Sequence, residues 1–190
     1  RKFDSGIRAS YSMTEEVDAA HEIKHPLIRA GLNLVGIEGG IEIASMADIP
    51  SRGTGLGSSS SFTVGLLHAL YGFKNQYVSD ERLAAESCHI EIEICGDPIG
   101  KQDQYAAAYG GLNYIRFHPD ESVTVDPIVC DANTLSQLQD NILVFFTGRS
   151  REAGSLLAEQ SKKTASEQKL QDTLVKMVSL AEDLKRELEH

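Results

Sequence analysis

A mixed fold of helices and short strands is what this 190-residue chain predicts, and three observations carry that expectation. Short runs near the N-terminus alternate apolar and polar residues in strand fashion. A glycine- and serine-rich loop opens directly into a mostly apolar, hence buried, helical stretch. From Arg151 onward the pattern becomes polar with apolar residues at helical spacing. An apolar content of 41% is that of a globular chain.

The elements follow in order. Ile7 to Ser12 alternates with Ile7, Ala9 and Tyr11 on one face, and Gly40 to Ser45 does the same with Ile41, Ile43 and Ser45. Between them Pro26 to Val35 reads as a helix, opened by proline and closed near Gly36. Phe62, Val64, Leu66, Leu67, Ala69, Leu70 and Tyr71 define a helix from about Ser59 to Gly72. Ser79 is placed to cap the next helix, which is expected to run to about Cys95. Its end, Ile90-Glu91-Ile92-Glu93-Ile94, alternates like a strand, but Leu83, Ala84, Cys88 and Ile92 keep helical spacing and the helix is preferred. A short helix from Lys101 to Ala108 stops at Gly110-Gly111. Leu112 to His118 and Ser122 to Val129 form a hairpin around Pro119-Asp120-Glu121. Asn141 to Thr147 reads as an apolar strand. Arg151 to His190 reads as one or two helices burying Leu156, Leu157, Leu174, Met177, Val178, Leu180, Ala181 and Leu184.

Composition excludes several classes. Acidic residues exceed basic ones, 28 against 18, giving a formal net charge of −10, so neither nucleic acid nor an anionic membrane surface is an expected partner. No run approaches the 18 or so apolar residues of a membrane span, and no signal pattern opens the chain. Cys88, Cys95 and Cys130 lack any C-x-x-C pair and read as small buried hydrophobes in a reducing compartment. A cytoplasmic protein is the expectation.

The segment Gly53-Thr54-Gly55-Leu56-Gly57-Ser58-Ser59-Ser60-Ser61 carries most of the chemistry. Glycines let backbone amides approach an anion without a Cβ in the way, and the following helix turns its unpaired N–H groups toward the same spot. The loop is neither a Walker P-loop, having no Gly-Lys-Ser/Thr, nor a dinucleotide fingerprint, since its glycines are evenly spaced. One hydroxyl suffices to cap a helix, so the surplus serines are free for a phosphate or its magnesium ion. The plainer reading is a flexible strand-to-helix turn.

Three acidic residues, Glu91, Asp97 and Asp103, follow the loop and its helix. Asp103 lies at the start of a short helix inside Gly96-Asp97-Pro98-Ile99-Gly100-Lys101-Gln102-Asp103-Gln104, where glycine and proline fix a loop. A carboxylate there is favoured by the helix dipole and could orient or deprotonate a hydroxyl; it could equally be an ordinary helix-start aspartate.

The serine-rich loop, Glu91 five residues before Gly96, and Gly100-x-x-Asp103-Gln104 leading to Gly110-Gly111 together resemble the GHMP small-molecule kinases. The resemblance implies an α+β, two-domain fold whose N-terminal domain, of the ribosomal protein S5 domain 2-like type, holds the nucleotide over residues 1–140. A second domain would begin near Asn141. It further implies transfer of the γ-phosphate of ATP, with Mg2+, to the anomeric hydroxyl of a seven-carbon sugar phosphate. A galactose, fucose or mevalonate type of acceptor and a non-catalytic binding module are the alternatives. By the same resemblance, Gly53, Thr54, Gly55, Leu56, Gly57, Ser58, Ser59, Ser60 and Ser61 would hold the triphosphate. Ser59, with Ser58 as neighbour, and Glu91 would hold magnesium, and Asp103 would be the catalytic carboxylate. Gly110, Gly111, Arg149 and Arg151 would face the small-molecule sugar phosphate, the two arginines through guanidinium forks or else as solvated turn residues. A homodimer is left open. The family's N-terminal and C-terminal motifs are not found in the chain, whose ends read as those of a fragment carrying a tag junction at Leu188-Glu189-His190.

One motif competes. His21-Glu22-Ile23-Lys24-His25 matches H-E-x-x-H of zinc proteases, but Pro26 biases His25 away from the continuous helix that motif requires. His68, His89 and His118 show no ligand spacing, and the charge run from Glu182 to Glu189 reads as a solvated helix face.

Overall fold

The computed structural model describes residues 4–47, 56–145, 163–164 and 166–189, which fall in two compact units, one up to Tyr109 and one from Gly110 onward. The first unit opens with a hairpin of β1 (Ile7–Ser10) and β2 (Thr14–Val17). Helix α1 (Pro26–Val35) then carries the chain over to β3 (Ile41–Ala44), which lies parallel to β1 with Ile7 opposite Ile41. The sheet order is therefore β2-β1-β3, with β1 central and antiparallel to β2. Helices α2 (Ser58–Phe73), α3 (Asp80–Cys88) and α4 (Gln102–Tyr109) follow, and α2 packs on α1, α3 and α4.

Helix α1 is punctuated at both ends and α3 at its start. Pro26 takes the first position of α1, where its missing N–H is no loss, and Gly36 closes it at φ 69°. Ser79 Oγ accepts the Arg82 N–H at the start of α3, as its sequence position predicts. The core is assembled from the inward faces of these elements: Ile7, Ile23, Ile28, Leu32, Leu67, Leu70 and Ile90 are at most 1% exposed. Leu67→Ala is expected to cost about 2–5 kcal/mol, measurable as a lower urea midpoint with an unchanged slope.

The structure departs from the sequence reading in five places. The α3 helix keeps α geometry only to Cys88, and His89–Ile94 continue as a π segment in which the Cys95 N–H reaches back to the Ile90 carbonyl. Strand β2 carries no apolar alternation, because the side chain it buries is Glu15, 7% exposed. Tyr11 Oη donates to Glu15 Oε1 at 2.6 Å and the Lys24 N–H donates to Oε2 at 2.9 Å.

Burial raises the Glu15 carboxyl, and the bonds from Tyr11, Lys24 and His25 more than offset it, leaving its pKa below the ordinary 4.5. The same contact pushes Tyr11 up to about 12. A carboxyl lowered by folding stabilises the fold above its unfolded pKa, and that contribution is lost as pH falls from about 4.5 through the folded value. Thermal melts between pH 6 and 3 should show this acid loss in the wild type and a smaller one in Glu15→Gln. Equal slopes would remove Glu15 from the account.

The second unit holds the expected hairpin, β4 (Asn113–Phe117) antiparallel to β5 (Val123–Pro127), with Ile115 opposite Val125. Helix α5 (Ala132–Asp140) follows, unanticipated, with the Asp131 carboxylate accepting the Asn133 and Thr134 N–H groups. Asn141 closes that helix instead of opening a strand. Ile142 to Phe145 are exposed and outside any sheet among the described residues, where no strand pairs with them; Phe146 and Thr147 lie outside those residues. The last helix, α6 (Gln168–Glu189), forms as expected, but its stripe is not buried: Leu174 is half-buried while Met177, Val178, Leu180, Ala181 and Leu184 are exposed. Helical spacing fixes which residues share a face but not whether a neighbour covers it. Leu156 and Leu157 lie outside the described residues. No described helix is long and apolar enough to cross a membrane.

Candidate active site

Helix α2 starts without a side-chain cap. Its N-cap is Gly57 at φ 64°, a left-handed conformation that favours glycine, and no acidic residue occupies its first turn. The N-terminus of α2 is thus a partial positive charge with no cap side chain on it. Ser58 is half-buried and Ser59 and Ser61 are exposed there, while Ser60 is turned into the protein at 2% exposure. Thr63 Oγ1 donates to the Ser59 carbonyl at 2.9 Å. Gly53, Thr54 and Gly55 lie outside the described residues, as do Arg149 and Arg151.

Asp103 reaches this helix start from α4. A Cβ built on Gly57 would stand 3.2 Å from both Cγ and Oδ2 of Asp103, so the carboxylate lies against a position that only glycine leaves open. The two sequence signals, 46 residues apart as Gly57 and Asp103, therefore meet in space. The exposed carboxylate also sits in the first turn of its own helix.

Glu91 lies on the π segment and is fully buried. Its Oε2 accepts Nε2–H of Gln104 at 2.5 Å, and its Oε1 has no hydrogen-bond partner. A buried carboxylate is costly unless something pairs with its charge, and a neutral amide does not. That unpaired oxygen is the observation that fits a divalent cation, which favours carboxylate oxygens as ligands. Asp97 is exposed and takes a different part, its backbone N–H donating to the Glu91 carbonyl at 3.0 Å to close the π segment.

Gln104 is the functional candidate that sequence reasoning passed over. It is fully buried beside Glu91, yet the sequence marked it only as the last residue of the Gly100-x-x-Asp103-Gln104 pattern, with no role of its own. Gly110 and Gly111, both at positive φ, belong to the second unit, where the Gly110 carbonyl accepts from Asn113 Nδ2 at 2.6 Å. A pocket of about 210 Å³ lined by Pro26, Arg29, Ala30, Asn33, Ile94 and Cys95 contains none of the candidate catalytic, phosphate-binding or metal-holding residues.

The H-E-x-x-H match has no metal geometry. Ala20–Glu22 form a 3₁₀ turn, Ile23 is extended, and His25 precedes α1 with its ring 4.7 Å from Tyr11 and 5.4 Å from Phe62. Burial lowers the His25 pKa, against a smaller opposing effect of Glu15. Among the described residues no cluster of His, Cys, Asp and Glu forms a ready metal cage.

Residues 18–111 match the model of the GHMP kinases N terminal domain. The chain is 34% identical over 125 residues to D-glycero-alpha-D-manno-heptose 7-phosphate kinase of Campylobacter jejuni, covering 66% of this chain and 37% of that protein. It is 29% identical over 151 residues to galactokinase of Pyrococcus furiosus, covering 80% of this chain and 40% of that protein. The chain thus spans about two-fifths of the length of these curated relatives. A solved D-glycero-D-manno-heptose 1-phosphate kinase from Bacteroides thetaiotaomicron has the same fold, with a TM-score of 0.71 at 23% identity over 87% of this chain and 58% of that one. The α+β architecture is that of these enzymes.

Proposed function

This chain belongs to the GHMP kinase family through residues 18–111, its N-terminal domain, and from that premise we propose that the whole protein is a cytoplasmic, ATP-dependent sugar kinase. Its reaction would transfer the γ-phosphate to the anomeric (C1) hydroxyl of D-glycero-D-manno-heptose 7-phosphate. The observation that carries the proposal is the Asp103 carboxylate lying against Gly57 at the uncapped start of α2. Phosphoryl transfer asks a protein mainly to position its reactants and to neutralise the moving charge.

In this reading the backbone of Gly53 to Gly57 and the first turn of α2, Ser58 to Ser61, bind the triphosphate. Asp103 accepts the proton of the sugar hydroxyl as that oxygen bonds to the γ-phosphorus and the bond to the β–γ bridging oxygen breaks. Glu91 and Ser59, or Ser58, would hold Mg2+, which supplies charge neutralisation on the phosphate oxygens when bound. Gly110, Gly111, Arg149 and Arg151 would contact the acceptor, the arginines through its own phosphate. Residues 1–140 would form the nucleotide-binding domain and 141–190 the start of the second.

The likeness to galactokinase favours a galactose type of acceptor as a second reading. ADP release from Mg-ATP, measured with the full-length protein against heptose 7-phosphate, mannose, fucose, galactose and mevalonate, decides between them. Turnover confined to the heptose is the expected result. Turnover confined to galactose replaces the acceptor, and nucleotide binding without turnover on any acceptor leaves a binding module.

A further inference from the structure

Glu91 and Gln104 are both fully buried, on different elements, and bonded to each other: the amide Nε2–H donates to Glu91 Oε2 at 2.5 Å. Each is also left incomplete, because Glu91 Oε1 and Gln104 Oε1 are buried without a hydrogen-bond partner. Two buried acceptors left unpaired are a cost that a purely structural pair would not be expected to carry, so packing alone does not account for them.

We propose that Gln104 is a positioning residue that fixes the Glu91 carboxylate so that Oε2 is held and Oε1 is kept for the divalent cation of the nucleotide. This rests on the reading of Glu91 as a cation ligand given above. Three physical points carry it. A carboxylate that must bind a cation needs to be oriented by a donor that does not neutralise it. A lysine or arginine in the place of Gln104 would compete with the cation for the charge, whereas a neutral amide orients without pairing. Second, Glu91 Oε1 has no hydrogen-bond partner, and a carboxylate oxygen is a ligand that a divalent cation would take. Third, Gln104 follows Asp103 on α4, so one helical turn ties Glu91 to the carboxylate that lies against Gly57.

The test is Mn2+ binding to the full-length protein in the presence of a non-hydrolysable ATP analogue, read by the paramagnetic resonance of free Mn2+, with metal-free nucleotide affinity and melting temperature recorded alongside. Gln104→Met removes the amide at nearly constant length and is expected to weaken Mn2+ binding about 10–100-fold while metal-free nucleotide affinity holds. Gln104→Leu serves the same purpose if the methionine variant does not fold. Glu91→Gln separates the two levels of the claim. Loss in Glu91→Gln with wild-type affinity in the Gln104 variants overturns the positioning role and leaves Glu91 as a ligand. Wild-type affinity in Glu91→Gln removes the ligand itself, and the positioning role with it.

Discussion

Asp103→Asn is expected to lower kcat by about 10²–10⁴-fold while nucleotide affinity stays near that of the wild type. The substitution preserves shape and hydrogen-bonding reach but cannot accept a proton. The affected group is exposed, in the first turn of α4, and against Gly57 at the start of α2. A triphosphate held by the N–H groups of α2 would therefore have Asp103 beside it, which is where an acceptor hydroxyl must be deprotonated or oriented. Loss of nucleotide binding in the mutant would instead mean that Asp103 supports the loop. Undiminished turnover would remove it from the chemistry.

Gly57→Ala should act on stability and turnover together. At φ 64° a Cβ costs about 1–3 kcal/mol, because L side chains avoid that conformation. The new methyl would also stand 3.2 Å from the Asp103 carboxylate, tighter than ordinary contact, so the carboxylate must give way. A misplacement of about 1 Å in a catalytic group costs about 10²-fold in rate, so the smaller shift forced here is expected to lower kcat by less than that. Gly65→Ala is the control, since a Cβ there meets nothing within 4 Å and the residue is exposed in the middle of α2. It should stabilise the protein by about 0.5–1 kcal/mol and leave kcat unchanged. Equal urea midpoints and rates for the two variants would remove the special role of Gly57.

Element ends that carry chemical punctuation were legible in the sequence. Pro26 and Gly36 bracket α1, Ser79 opens α3, and Pro119-Asp120-Glu121 turns the hairpin of β4 and β5, all within a residue or two of their expected places. What escaped depended on partners distant in sequence. Strand β2 was missed because its buried residue is a glutamate whose acceptors are filled by Tyr11 and the Lys24 backbone. The π segment was read as plain helix, since Ile90-Glu91-Ile92-Glu93-Ile94 gives no local sign that Glu91 is buried while Ile94 is 50% exposed. That inversion of polarity is where the proposed chemistry lies, as sites often are where local rules fail. Helix α5 did carry a signal that the sequence reading did not use, the capping carboxylate of Asp131 ahead of Asn133 and Thr134. At the site, spacing and composition marked Gly57 and Asp103 but not their contact, and Gln104 became visible only through its bond to Glu91.

The most direct test of the proposed reaction is the ³¹P spectrum of the products formed by the full-length protein from Mg-ATP and D-glycero-D-manno-heptose 7-phosphate. The account predicts ADP and a new phosphate resonance coupled to the anomeric proton, absent with Asp103→Asn. ADP with inorganic phosphate alone, or a new phosphate on any carbon but C1, would contradict it.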